Sequence, residues 1–310
     1  MPLRRTLAVT AAATLLLGAT SACGDTANGA AGGKVDVVAA FYPLRYLAER
    51  VGGDNVQVTQ LTKPGAEPHD VELTIKQVAE ISDAKLVVHL KGFQPAVDQA
   101  VEQQANGRGF DAAAAVDLLP AGEHDHEHGE EEHAEESGGT DPHLWLDPQR
   151  YTTVADALAG KLGSIDPEHA TAYTERARAL HAELDTLHGE YAAKLKTCQR
   201  REFVTSHTAF HYLADRYDLK EIGITGISPE TEPSAQRLAE VAAQAKTAGT
   251  TTIFFEKLVS PKVAETVARE VGVGTAVLDP IEGVDGAGAD YFSVMRANLT
   301  ALTTALGCSL

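Results

Sequence analysis

Fourteen residues, Glu123 to Glu136 in the run EHDHEHGEEEHAEE, hold four histidines and eight carboxylates. Imidazole and carboxylate together ligate borderline divalent cations, zinc above all. Ala134 is the one apolar side chain in the run, so the tract cannot bury enough surface to fold alone. His124, His126, His128 and His133 therefore read as auxiliary metal-collecting groups on a loop bounded by Gly122 and Gly138-Gly139. A better set of ligands lies outside the tract. His69 stands in Pro64-Gly65-Ala66-Glu67-Pro68-His69-Asp70, His143 in Asp141-Pro142-His143-Leu144-Trp145-Leu146-Asp147-Pro148, and His207 in Val204-Thr205-Ser206-His207-Thr208. Asp279 stands in Val277-Leu278-Asp279-Pro280-Ile281-Glu282-Gly283. Three neutral imidazoles and one carboxylate complete a tetrahedral Zn2+ shell and leave a formal charge of about +1 on the loaded site.

Each of these histidines, taken singly, is an ordinary loop residue facing water. Their shared setting argues otherwise, because all four positions fall where a predicted element ends, which is where α/β folds place ligand groups. Other histidines do not share it. His211 follows His207 by four residues, but Thr208-Ala209-Phe210 supplies no glutamate for an H-E-x-x-H hydrolase, so a general base is missing. His211 reads as a neighbour of the site, His89 as a satisfied core histidine at a strand end, and His169, His181 and His188 as solvated positions on a helix. Trp145 reads as packing around the site.

Periodicity supplies the frame that must hold these loops. Val35 to Ala40, Val56 to Leu61 and Leu86 to Leu90 read as strands, interleaved with helices at Pro43 to Val51 and Glu72 to Asp83. Asp166 as N-cap and Pro167 at the first helical position open a helix of about thirty residues, about 45 Å long, whose apolar positions run from Tyr173 through Ala177, Leu180, Leu184, Leu187 and Tyr191 to Leu195. Alternation then resumes: strands at Glu202 to Thr205, Thr252 to Phe255 and Ala276 to Leu278, and helices at Ala209 to Tyr217, Ser234 to Ala248, Lys262 to Val271 and after Tyr291. The fold class is α/β, two lobes on either side of a long helix, with two ligand loops in each half. One ion could then sit in the cleft between them.

Bulk properties narrow the function classes. The chain has 310 residues, 44 acidic against 26 basic, and a formal charge of -18. Such a balance opposes binding to nucleic acid and attracts cations. Arg4 and Arg5 precede an apolar run, Leu7 to Leu17, too short to span a membrane and suited to a secretory signal. Residues 1–22 are read as that signal, and 23–34 as a lipidated Cys23 with a flexible tether. Ala19-Thr20-Ser21-Ala22-Cys23 resembles a bacterial lipobox with Thr20 where Leu is usual; an ordinary secreted protein with one unpaired cysteine is the plainer alternative. Cys198 and Cys308 remain, and in an oxidising compartment they are expected to pair.

The motifs EPHD, DPHLWLDP, TSHTAFHYLADRY and LDPIEG, with the long helix and the acidic histidine tract, resemble the metal-binding lipoproteins of ABC importers, in particular their zinc branch. The resemblance covers about residues 35–310. It implies an N-terminal lobe at 35–162 carrying the histidine-rich loop at 121–139, a rigid linking helix at 163–197 and a C-terminal lobe at 198–310. It further implies that His69, His143, His207 and Asp279 hold Zn2+ between the lobes, with Glu67 a substitute carboxylate. His207 favours zinc, since manganese-handling relatives usually place a carboxylate there. The implied protein is a monomer and not an enzyme, bound to the outer membrane face through its lipid and partnered by a permease with a cytoplasmic ATPase. A manganese-binding protein of the same transporter family remains the alternative, a zinc hydrolase the rival of another class, and loss of metal is expected below about pH 6 as histidines protonate.

Overall fold

In the computed structural model, which describes residues 33–121, 139–284 and 288–309, the predicted alternation becomes two parallel sheets of the same topology. The first contains β1 (Val35–Ala39), β2 (Val56–Gln60), β3 (Leu86–His89) and β4 (Gly109–Asp111), in the order β2-β1-β3-β4. The second contains β5 (Glu202–Thr205), β6 (Lys220–Gly223), β7 (Thr252–Phe255) and β8 (Gly274–Val277), in the order β6-β5-β7-β8. Central strands carry the most apolar runs because helices cover both faces: Val37, Val38 and Ala39 pair with Leu86, Val87 and Val88, all buried. In each sheet the order in which strands are added reverses beside its first strand, opening a crevice at the strands' carboxyl ends.

The first lobe's helices are α1 (Tyr42–Gly52), α2 (Ile75–Asp83) and α3 (Pro95–Gln104). The helix expected from Glu72 starts at Ile75 because Thr74 caps it, accepting from Gln77 N while the Gln77 side chain accepts from Thr74 N. An unpredicted helix, α4 (Pro148–Ile165), follows the His143 loop, with Asp147 accepting from Gln149 N at its start. It packs along α5 (Ala170–Lys194), the long helix. That helix is shorter than its apolar spacing suggested: 25 residues, about 37 Å. Asp166 does not cap it. Its carboxylate instead accepts from the Tyr173 hydroxyl and His169 Nδ1, both at 2.7 Å, and Pro167–His169 forms a 3-10 turn.

In the second half α6 (His211–Arg216), α7 (Ala235–Thr247), α8 (Lys262–Val271) and α9 (Tyr291–Leu306) surround the second sheet. Cys198 and Cys308 are joined across a sequence separation of 110, as expected, tying the approach to β5 to the end of α9. One apolar core runs through both lobes along the buried face of α5 and includes Trp145, Tyr151, Tyr191, Tyr212 and Tyr291; a smaller one lies around Val204, Ile222, Val241 and Ile253. No described helix is long and apolar enough to cross a membrane. Cys23 and the tract histidines His124, His126, His128 and His133 lie outside the described residues.

Candidate metal centre

His69 sits in the loop between β2 and α2, His143 in the turn before α4, His207 two residues beyond β5, and Glu282 in the loop after β8. All four are buried, with relative exposures of 7%, 0%, 2% and 1%. One oxygen, Glu282 Oε1, lies 3.2 Å from His69 Nε2, 3.2 Å from His143 Nε2 and 3.4 Å from His207 Nε2. Ligand atoms about 2.05 Å from a common centre stand about 3.3 Å apart at tetrahedral angles. Those three separations match a zinc shell, and the four ligand atoms all lie within 4.8 Å of one another. His143 Nε2, His207 Nε2 and Glu282 Oε2 are also buried without a hydrogen-bond partner, a costly condition that a cation would relieve.

The far sides of two imidazoles are anchored. His143 Nδ1 donates to Asp141 Oδ1 at 2.7 Å and His207 Nδ1 donates to Glu256 Oε1 at 2.8 Å, since a carboxylate can only accept. These bonds fix the tautomer that turns the Nε2 lone pairs inward. Ser206 Oγ donates to the same Glu256 oxygen at 2.8 Å and His143 N to the same Asp141 oxygen at 2.8 Å, so the anchors are themselves held. With Asp141 and Glu256 counted, the loaded site would fall from a formal charge of about +1 to about -1. Phe93 and Trp145 wall the cluster, with ring centroids 4.5 Å from His69 and 5.2 Å from His143.

Burial opposes charge on His143, but Asp141 and Glu282 outweigh it and raise the imidazole to about 9. His207 is likewise driven well above its ordinary value, against burial, by Glu256 and Glu282. His69 is lowered, chiefly by burial. Glu282 is held well below the usual carboxylate range, because the three imidazoles overcome its desolvation.

The fourth expected ligand requires correction. Asp279 is not in the cluster: its Oδ1 accepts from Ile281 N at 2.9 Å and its Oδ2 pairs with Lys257 Nζ at 3.2 Å. Glu282, three residues on, takes the position. Glu67 is also outside the cluster, its carboxylate turned back to accept from His69 N at 3.0 Å; burial pushes it up to about 7. His211 Nδ1 lies 3.7 Å from Asp141 Oδ2, behind the cluster. His89 is buried with Nδ1 3.3 Å from Asp98, a satisfied core residue. Sequence reasoning missed Glu282, Glu256 and Asp141, although Glu282 and Asp141 lie in the motifs already singled out and Glu256 directly follows β7.

Fold and cluster together define a two-lobed α/β protein built around a buried imidazole–carboxylate centre suited to a divalent cation. The chain belongs to the ZnuA family, described as zinc-uptake complex component A, periplasmic, whose model matches residues 37–305. It is 37% identical over 283 residues to the zinc-binding lipoprotein AdcA of Streptococcus pneumoniae, covering 88% of this chain and 56% of that protein. The chain thus spans about half the length of the first curated relatives it matches. The high-affinity zinc uptake system protein ZnuA of Bacillus subtilis is 36% identical over 297 residues, 92% of this chain and 93% of its own. Among solved structures, the Zn(II)-bound ZnuA-like domain of Streptococcus pneumoniae AdcA is 33% identical with a TM-score of 0.74, covering 88% of this chain and 99% of that one. The laminin-binding protein Lmb of Streptococcus agalactiae is 34% identical with a TM-score of 0.78, at 88% and 99% coverage.

Proposed function

We propose that the protein captures Zn2+ outside the cytoplasmic membrane and delivers it to an ABC-type importer. The observation that carries this reading is the convergence of three buried Nε2 atoms on one Glu282 oxygen at 3.2 to 3.4 Å, two of them otherwise unpartnered. His69, His143, His207 and Glu282 are the ligands, and the ion is cargo rather than a resident cofactor. The names of the relatives agree with zinc, and so does the donor set, three nitrogens and one oxygen, where manganese would prefer an oxygen-rich octahedron.

The membrane permease and its ATPase are the partners, and this chain acts as a monomer held at the outer membrane face through a lipid on Cys23. The lobes are taken as 35–162 and 198–310, bridged by 163–197. His124, His126, His128 and His133 collect ions for the buried site. A hydrolase needs a coordination position for water with a base beside it. Four protein donors leave no such position, which supports cargo binding over catalysis.

The test is titration of metal-free protein with Zn2+. One equivalent is expected to bind, and saturation at about 100 times the dissociation constant is expected to add about 2.7 kcal/mol of stability, seen as a higher melting temperature. Glu282→Gln is expected to lose most of that gain. An unchanged melting temperature, or binding that survives His143→Ala undiminished, would refute the assignment.

A further inference from the structure

Ile281, the residue before Glu282, has φ of 61° and is fully buried. Positive φ is tolerable for asparagine or aspartate, which occupy the other described non-glycine cases, Asn106 and Asp218. For a β-branched residue it is an outlier that persists only where the surroundings impose it. The surroundings here are specific. Asp279 Oδ1 accepts from Ile281 N at 2.9 Å, closing the turn on itself. Asn298, on the inner face of α9 and 2% exposed, grips the same turn twice: its Oδ1 accepts from Asp279 N at 2.9 Å and its Nδ2 donates to Asp279 O at 2.7 Å. From the first lobe, Trp145 Nε1 donates to Pro280 O at 2.7 Å. Pro280 adds a fixed φ of its own.

We propose that Asp279 and Asn298 are positioning residues for Glu282, holding a strained elbow at Ile281 that presents the carboxylate to the three imidazoles before any ion arrives. The inference rests on the zinc-binding reading and extends it to residues that touch no ligand atom. An elbow relaxed to negative φ would swing the following peptide, and Glu282 would have to be recovered against that preference each time an ion binds. Asp279 thus matters to the site through the backbone of Ile281, and its charge does not. The opposite wiring, with Asp279 itself a ligand, predicts different behaviour in every variant below.

Zn2+ dissociation constants are measured by competition with a chromophoric chelator, with the visible spectrum of the Co2+-loaded protein and the melting temperature of the metal-free protein recorded alongside. Asp279→Ala is expected to weaken Zn2+ binding about tenfold or more, in the range seen when groups that orient ligands are removed, and to alter the Co2+ spectrum. Asp279→Asn keeps the acceptor for Ile281 N and loses only the pair with half-exposed Lys257, so it is expected to restore affinity to within about twofold. In a Glu282→Gln background, Asp279→Ala is expected to change affinity no further while still lowering the melting temperature, because the two act as one unit on binding. Should Asp279→Ala fail to fold, Asn298→Ser, a smaller change that withdraws the amide from the elbow, is read through the same cycle. Asp279→Asn as damaging as Asp279→Ala, or losses that multiply in the Glu282→Gln background, would overturn the proposal. So would unchanged affinity in a folded Asp279→Ala protein that binds zinc normally otherwise. Failure of the unaltered chain to bind zinc would instead strike at the proposed function itself.

Discussion

At the scale of single residues the raised imidazoles point to competition between protons and a cation. His143 is raised to about 9 and His207 well above its ordinary value, so the metal-free centre is expected to hold protons near neutral pH. A group whose folded pKa is raised lends stability that is complete below its unfolded value and fades as pH rises through the folded one. For His143 that window runs from 6.5 to about 9, so metal-free stability is expected to fall across it. Zinc requires neutral imidazoles, and its binding at pH 7 is expected to expel about two protons, with affinity climbing steeply toward pH 9. Calorimetry of zinc binding in buffers of different ionisation enthalpy counts those protons; a count near zero at pH 7 would refute the assignment. Competition between protons and metal is therefore expected to begin above the pH 6 of free histidines. The three histidines were legible in the sequence because each is an imidazole in a short loop at an element boundary. The carboxylate that joins them in the cluster was not. Asp279 and Glu282 share one hexapeptide, and the choice between them turns on the φ of Ile281, which side-chain preference would have set the other way.

At the scale of elements, alternation in the sequence exposed most strands, because β1, β3, β5 and β7 are short apolar runs buried between helices. It hid β4 and β6, of only three and four residues, and the helices α3 and α4, the start of α4 being absorbed into the reading of the His143 loop. The disulfide was legible from cysteine count and compartment, and it joins two elements that frame the site: the segment leading into β5, which ends two residues before His207, and α9, which carries Asn298. Closing a loop of about a hundred residues removes conformational freedom from the unfolded chain worth about 4 to 5 kcal/mol in the chain-entropy model. Reducing the bond, or replacing both cysteines by serine, is expected to cost about 2 to 5 kcal/mol, measured by denaturant unfolding of the metal-free protein. A change below about 0.5 kcal/mol would show that α9 is held by packing alone.

For the whole molecule the question is whether the lobes are separate folding units. Their sheets are separate, but their contacts are not those of two bodies on a hinge. The core runs without a break along α5 from Tyr173 to Tyr191 and takes in side chains of both halves. Arg216 of α6 donates from Nε and Nη2 to buried Asp147 at 3.0 and 2.7 Å, and Tyr212 OH donates to Asp141 O at 2.7 Å. Tyr291 OH donates to Trp145 O at 2.7 Å while Trp145 reaches back to Pro280 O. Each bond crosses between the halves, and Asp141, Trp145 and Pro280 lie within three residues of His143 or Glu282 of the cluster. Separating the lobes would strip partners from buried polar groups at the metal centre, at about 1 to 3 kcal/mol for each group left unsatisfied. Metal-free protein is therefore expected to melt in one cooperative transition, with calorimetric and van't Hoff enthalpies equal, and zinc should move the whole transition upward. Arg216→Ala should lower the midpoint without splitting the transition. Two resolved transitions in the unaltered protein, one responsive to zinc and one indifferent to it, would show that the halves fold independently and that the site is assembled from one lobe's ligands before the other's arrive.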